Sequence, residues 1–315
     1  MCMKRFLCII LSTILVFFSF SACGNEKYIK VYMPDGAPSL SMISLMANGY
    51  KIGEKSTNYE IVASDKIGGL VANKQADLAV LPLNLATKVC GEDYQILSVM
   101  TWGNLYILGK SGNIDDIVGN NLYVINLNNV PGLTTRLMLE KENIPYSFVE
   151  QSNNNIKLVA TTANEVIGGF LSNKMKYAVV AEPAVSKIMT KVSGLSVIGD
   201  LQEIYGEYPQ SVLVIKKNLL NNKNMQNLIA KLSENSDYLE NNLNEIYFVL
   251  EKHLEKGLVS AFTEDLNNSL IQRCNVNFRL AVNERQRIND YILDLKRIEP
   301  NSCNEMASGV FYEII

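Results

Sequence analysis

Residues with catalytic or metal-binding chemistry are few and widely spaced in this sequence. His253 is the only histidine, and its charged helical surroundings, residues 248–256, predict a solvated surface position. One histidine gives very little support to a histidine-based catalytic triad or a multi-histidine metal site. The cysteines show no spacing typical of zinc ligands. We therefore expect no metal and no cofactor, and the residue types favour binding over catalysis.

Small polar residues recur instead where predicted strands give way to predicted helices. A turn at residues 33–41 has two prolines and a glycine, and Ser39 is its expected helix N-cap. Free backbone N–H groups at such corners can face a ligand, and the sequence has five other corners of this kind. If both halves of the fold point these ends at one cleft, they would suit a small polar solute. The candidate ligand-binding residues at these corners are Asp35, Ala37, Ser39, Ser64, Asn84, Gly132, Thr134, Thr162 and Glu182.

The charged residues among these candidates leave two interpretations open. Asp35 and Glu182 would either pair with a cationic or amine group of a ligand, or serve as solvated loop carboxylates and caps. An anionic ligand would call for Arg or Lys in the same loops. Only Lys66 and Arg136 come close, which weighs against nitrate or sulfonate.

Trp102 is the only tryptophan and is the tenth candidate ligand-binding residue. It lies beside Gly103, where the chain is expected to cross from one lobe to the other. Two roles are open, stacking on a ligand and packing the crossing, and packing is favoured for a lone aromatic residue.

The elements that must position these residues alternate between strands and helices. Residues 28–102 predict strands at 28–33, 59–64, 76–81 and 94–101, with helices at 39–49 and 66–73. The alternation restarts at residue 105, with further strands at 121–125, 156–161 and 177–181. This alternation predicts an α/β fold with mostly parallel sheets covered by helices. We expect lobe one to comprise residues 28–102 and 209–315, and lobe two residues 103–208, with two crossings forming a hinge.

The C-terminal third predicts helices from Leu219 almost to the end of the chain. Leucines and valines between 228 and 250 recur at spacings typical of packed helix faces. Cys90, Cys274 and Cys303 lie in the mature chain. A disulfide between Cys274 and Cys303 is one possibility, and buried free thiols are the favoured one.

Composition describes a folded, mildly acidic protein. Hydrophobic residues make up 48% of the 315 residues, and the formal net charge is −3. The absence of a Lys/Arg cluster argues against nucleic acid as a partner.

The N-terminus has the order of a secretory signal. Lys4 and Arg5 precede an apolar run from 6 to 20, and Ser21-Ala22-Cys23 follows. A run of this length is short of the roughly 20 residues that a spanning helix needs. The Cys after small residues resembles a bacterial lipobox, which implies a signal peptide at 1–22, a lipidated Cys23 carrying diacylglycerol and palmitate, and a tether at 23–27.

The mature sequence resembles the extracytoplasmic solute-binding proteins of ABC importers. The similar segments are 31–40, 69–84 with its Asp77 strand, the Glu-Pro element at 179–184, and tail motifs at 272–275 and 309–312. The closest branch is that of nitrate, sulfonate, taurine or thiamine-precursor binding. The tail after Ser302 departs from that branch's pattern.

This resemblance implies a two-lobed periplasmic-binding-protein-like fold of the second type. It also implies capture of a small polar organic solute between the lobes and delivery to a membrane permease with a cytoplasmic ATPase. The expected protein is a monomer held by lipid at the extracytoplasmic face of the cell membrane, and not an enzyme. Two alternatives remain: an enzyme on the same fold, with Asp35 or Glu182 as general base, and a receptor that presents its ligand to a membrane sensor.

Overall fold

The computed structural model describes residues 28–110, 112–217, 219, 221–307 and 309–313. The predicted signal peptide, the lipidated Cys23 and the tether lie outside these residues. Among the described residues, no helix combines the length and apolarity required to cross a bilayer.

Twelve strands form two six-stranded sheets in the described chain. The first sheet has the order β12-β4-β11-β3-β1-β2 and the second β10-β5-β9-β6-β8-β7. The strands are β1 Tyr28–Pro34, β2 Ser56–Val62, β3 Leu78–Pro82, β4 Tyr94–Trp102, β5 Leu105–Gly109, β6 Asn121–Ile125, β7 Tyr146–Ser147, β8 Ile156–Thr161, β9 Tyr177–Ala181, β10 Ser196–Asp200, β11 Pro209–Lys216 and β12 Val276–Leu280.

Helices flank both sheets, which confirms the predicted two-lobed α/β fold class. A short 3-10 helix spans Ile114–Ile117. The α-helices are α1 Ala37–Leu40, α2 Ile43–Ala47, α3 Ile67–Ala72, α4 Leu83–Val89, α5 Val130–Lys141, α6 Ala163–Leu171, α7 Ala184–Lys191, α8 Leu201–Tyr205, α9 Asn222–Ser233, α10 Asn235–Asn241, α11 Leu243–His253, α12 Asn268–Arg273 and α13 Arg285–Ile298.

The sheets are more mixed than the alternation of strands and helices predicts. In the second sheet β6 pairs in parallel with β8 and β9, and β7 with β8. In the first sheet only β1 makes parallel pairs, with β2 and β3, while β11 and β12 join antiparallel. β4, β5 and β11 carry the chain between the sheets and pair antiparallel with their neighbours, because a strand returning from the other lobe enters from the opposite end. β12 adds an antiparallel edge strand beside β4.

Three predictions for the elements are wrong in detail. The helix predicted from Ser39 to Gly49 is two short helices, since the hydroxyls of Ser39 and Ser41 donate to the carbonyls of Gly36 and Pro38 and compete with a continuous helix. Gly36, not Ser39, is the N-cap of α1. The C-terminal third is not helical throughout, because β12 adds an edge strand beside β4.

The two crossings between the sheets lie against each other. A Cβ atom on Gly103 would lie 2.4 Å from a ring carbon of Tyr208, so only glycine allows this approach. The buried residues Trp102, Leu105 and Tyr208 belong to one hydrophobic cluster that extends into both lobes. The crossing region is therefore a packed core.

Helix α13 continues this core on the same side of the molecule. Its Tyr291 ring stacks on Tyr208 with centroids 5.2 Å apart, and its hydroxyl lies 2.7 Å from Thr134 Oγ1 on α5. Arg297 pairs with Glu140 at the other end of the contact. The helix thus contacts lobe two although its sequence position follows the last strand of lobe one.

Candidate functional site

The loops that follow β1 and β9 meet where the two sheets approach each other, at a place that we call the interlobe crevice. Residues 35–36 bound it on lobe one, residues 182–183 on lobe two, and Arg273 at the end of α12 closes one side. A Cβ atom on Gly36 would lie 3.7 Å from Pro183 Cδ. The lobes therefore contact each other at the ends of their strands, where α/β sheets bind ligands.

Asp35 is held by backbone amides. Its Oδ1 accepts from Gly36 N–H at 2.9 Å and its Oδ2 from Ala261 N–H at 2.6 Å. Burial raises the pKa of this carboxyl, and the two amides and the charge of Lys187 on lobe two oppose the rise. The arrangement fixes the loop after β1, and both carboxylate oxygens already have donors.

Glu182 forms an ion pair between the lobes. Its side chain is fully buried, and Oε1 accepts from Arg273 Nε at 2.5 Å. Ser186 donates to the same carboxylate through its backbone N–H at 3.1 Å and its hydroxyl at 3.0 Å. Because Glu182 follows β9 and Arg273 ends α12, this contact joins the two lobes directly.

Arg273 is anchored on both sides of the crevice. Its Nη2 donates to Ser186 Oγ at 2.8 Å and its Nη1 to Ser269 Oγ at 2.6 Å. Its backbone carbonyl accepts from the Tyr106 hydroxyl of β5 at 2.9 Å. The guanidinium is thus already neutralised by a buried carboxylate.

A cavity of about 540 Å³ lies next to this ion pair. Its walls come from β10 and α8 of lobe two and from α12 of lobe one, so its shape depends on how the lobes meet. Asn275 beside it donates to Gln202 Oε1 at 2.5 Å and to the Gly103 carbonyl at 3.0 Å. The lining residues are Tyr106, Val197, Ile198, Gly199, Asp200, Gln202, Glu203, Ser269, Gln272, Arg273 and Asn275.

Asp200 is the half-buried carboxylate of this cavity. It caps α8, with Oδ1 accepting from Gln202 N–H at 2.8 Å. Burial and the neighbouring charge of Glu203 raise its pKa, and the backbone N–H groups of 202 and 203 oppose the rise. Within the described part of the chain, neither Asp200 nor Glu203 has an ion-pair partner.

The other predicted residues lie apart from this cavity. Ala37 and Ser39 are buried in α1, and the Ser39 hydroxyl donates within its own turn. Ser64 is exposed after β2, and Asn84 is half-buried at the start of α4. Thr162 is an exposed N-cap whose hydroxyl accepts from Glu165 N–H.

Gly132 and Thr134 serve the packing of α5. A Cβ atom on Gly132 would lie 1.8 Å from the Leu127 carbonyl oxygen. Thr134 is fully buried, and its hydroxyl contacts both the Val130 carbonyl and Tyr291. Gly132 and Thr134 therefore pack α5 against Leu127 and Tyr291, and neither lies at the interlobe crevice.

Trp102 packs the crossing. Its side chain is fully buried, and its Nε1 donates to the Asn277 carbonyl at 2.8 Å. The Arg279 guanidinium lies 4.2 Å from the ring centroid. These contacts cover the ring on the side of β12.

His253 is not the solvated residue that its charged surroundings predict. It is half-buried, its Nδ1 lies 3.2 Å from the Tyr59 carbonyl oxygen, and its ring meets Tyr59 edge to face. Cys90, Cys274 and Cys303 are free, and the last two are buried.

Sequence reasoning missed the residues that line the cavity. Asp200 follows Gly199, and residues 272–275 stand out in the sequence only as a tail motif. A signal was available, since a polar run that includes an arginine directly precedes the alternating strand β12. What the pattern does not encode is that α12 faces β10.

The structure is similar to solved structures of ABC-transporter proteins. An ABC transporter from Parabacteroides distasonis has a TM-score of 0.75 and 22% identity, covering 91% of this chain and 99% of that one. The ligand-binding component of an ABC-type import system from Staphylococcus aureus, with zinc bound, has a TM-score of 0.63 and 14% identity, covering 91% and 97%. The periplasmic aliphatic sulphonate-binding protein SsuA from Escherichia coli has a TM-score of 0.63 and 12% identity, covering 92% and 96%.

No protein-family model and no curated protein sequence matches the chain. The shared feature is therefore the architecture over nearly the full length, at identities of 22% or less. This protein has the two-lobed α/β fold of the ABC-transporter solute-binding structures.

Proposed function

We propose that this protein is a solute-binding receptor of an ABC importer. It captures a small polar organic solute between its lobes and delivers it to a membrane permease that works with a cytoplasmic ATPase. The observation that carries this proposal is the Glu182–Arg273 ion pair, which joins the lobes beside a polar cavity. A cavity of this volume falls within the range typical of small-molecule sites, about 300–1,000 Å³.

Closure of the lobes is the mechanism that we propose. Lobe one comprises 28–102 and 209–315 and lobe two 103–208, with the crossings at Gly103 and Tyr208 as the pivot. A solute shifts the open–closed equilibrium only by contacts that are stronger in the closed state. The cavity meets this condition, because α12 of lobe one completes walls that begin on β10 and α8.

Catalysis is not part of this proposal. The buried carboxylate of the crevice, Glu182, is paired with an arginine and two groups of Ser186. His253 is the last residue of α11 and lies against Tyr59 of β2. The Ser186 hydroxyl lies beside Glu182, but Arg273 donates to both side chains, so they do not form a free base–nucleophile pair.

We further propose that a lipid on Cys23 anchors the protein to the extracytoplasmic face of the cell membrane. The support comes from the order of charged, apolar and small residues before Cys23. β1 begins at Tyr28, so the lobes would lie close to the membrane surface. Metabolic labelling with palmitate tests this point: the parent incorporates label, and Cys23→Ser does not.

Calorimetry on the solute that co-purifies with natively expressed protein tests the receptor role. The solute is released by denaturation, identified by mass spectrometry and titrated back into protein that has been emptied and refolded. We expect saturable one-to-one binding, with the solute recovered at unchanged mass. A changed mass would favour the enzyme, and a folded protein that binds nothing would contradict the proposal.

A further inference from the structure

The cavity between β10, α8 and α12 has an unbalanced charge. Its charged lining residues are Asp200, Glu203 and Arg273. Arg273 is neutralised by Glu182, whose side chain is fully buried. The two carboxylates of lobe two are left without a cation in the described chain, so the cavity is net negative.

The hydrogen-bonding groups of the charged side chains in the cavity are also biased toward acceptors. Nε, Nη1 and Nη2 of Arg273 each donate to a protein oxygen. The Tyr106 hydroxyl donates to the Arg273 carbonyl. By contrast, Asp200 uses one oxygen to cap α8, and Glu203 is exposed. The remaining carboxylate oxygens require donors, which a solute would supply.

The apolar part of the lining is small and lies on one wall. Val197 of β10 packs in the same apolar cluster as Tyr106, which is 5% exposed. Such a wall suits a short aliphatic chain, while the carboxylates suit a charged donor at its end.

From these features we propose that the solute carries an ammonium or guanidinium group that binds between Asp200 and Glu203. This inference rests on the proposed receptor function and names the chemical class of its solute. The cation replaces the missing counter-charge, and charge-assisted hydrogen bonds to carboxylates are the stronger kind. An anionic solute would meet two like charges with no free arginine to offset them.

The test uses the full-length protein in detergent and a matched panel of probes. The panel pairs aliphatic diamines and guanidines with diols and alkylsulfonates of equal chain length, and thermal shift and calorimetry measure binding. We expect saturable binding of amines or guanidines, and none of the diols or sulfonates. The double variant Asp200→Asn/Glu203→Gln should bind at least about tenfold more weakly.

Two features keep these variants interpretable. Asn is as good an N-cap as Asp, and Glu203 is exposed, so the double variant is expected to fold. Glu240→Gln on α10 is the control, because it removes an exposed carboxylate outside the cavity and should bind like the parent.

The outcomes separate the two proposals. Preferential binding of a sulfonate or a diol, or full affinity in the double variant, would overturn the cationic class and leave the receptor function in place. Failure of every probe and of the co-purified fraction to bind folded protein would overturn both.

Discussion

Glu182 shows how one buried carboxylate can couple two lobes. Its side chain is inaccessible to solvent while its partner Arg273 is 26% exposed. Removing one member of a buried pair leaves an uncompensated charge in a low-dielectric site, which usually destabilises a protein strongly. The ion pair therefore stabilises the arrangement in which the two lobes meet at this point.

Arg273→Ala should lower the free energy of unfolding by about 2–3 kcal/mol, below the usual range for fully buried pairs because Arg273 is partly solvated. Urea denaturation measures this change. Lys231→Ala is the matched control, since Lys231 pairs with Glu234 on the surface and should lose less than about 1 kcal/mol. Equal losses in the two variants would show that the interlobe pair has no special role.

His253 makes stability depend on pH. Burial lowers its pKa below 6.5, the charge of Lys252 acts in the same direction, and the carbonyls of Tyr59 and Met46 oppose it. Because the folded state prefers the neutral ring, this contribution is complete above the unfolded pKa of about 6.5. It is lost as the pH falls through the lower folded pKa.

We expect His253→Gln to flatten the loss of stability between about pH 6.5 and 5. Thermal unfolding of parent and variant across this range measures the effect. A variant curve parallel to that of the parent would contradict it.

At the residue scale, the sequence predicts which residues lie where a strand gives way to a helix better than it predicts what their side chains contact. The sequence marks Glu182 as a candidate because it follows a strand, and in the structure its partner is an arginine of the same chain, 91 residues away. Thr134 is a candidate for the same reason, but its hydroxyl makes the contact between α5 and Tyr291 of α13. Such pairings depend on tertiary packing, which local patterns do not encode.

At the scale of elements, the start of α5 depends on one close approach. Gly132→Ala would place a methyl group inside the radius of the Leu127 carbonyl oxygen, and backbone cannot rotate away as a side chain can. We expect a loss of about 1–3 kcal/mol in the free energy of unfolding. Gly168→Ala in α6 is the control: nothing lies within 4 Å of its Cβ position, so better helix propensity should stabilise it by about 0.5–1 kcal/mol. A neutral Gly132→Ala would contradict the packing described.

The strands of lobe two were the most predictable elements. β6, β8 and β9 have the bounds expected from their apolar runs at 121–125, 156–161 and 177–181, because each is a short run bounded by polar residues. The edge strands β7, β10 and β12 have no counterpart among the predicted strands. β12 alternates Val276, Phe278 and Leu280 with polar residues, which is a strand signal, but the helical patterns around it obscured that signal.

At the scale of the whole molecule, two kinds of contact hold the lobes together. On one side, α13, the crossings and α5 share a hydrophobic cluster with Tyr208 and Tyr291. On the other, Arg273 of lobe one makes polar contacts with Glu182, Ser186 and Tyr106 of lobe two. The apolar side suits a pivot, and the polar side suits contacts that form and break as a crevice closes.

Small-angle neutron scattering with contrast-matched detergent tests this account most directly. Emptied full-length protein is compared with the same sample saturated with its co-purified solute. We predict a smaller radius of gyration in the saturated sample, and a weaker decrease in Arg273→Ala. Scattering curves that coincide at saturating solute, with binding verified by calorimetry, would contradict closure of the two lobes around a bound solute.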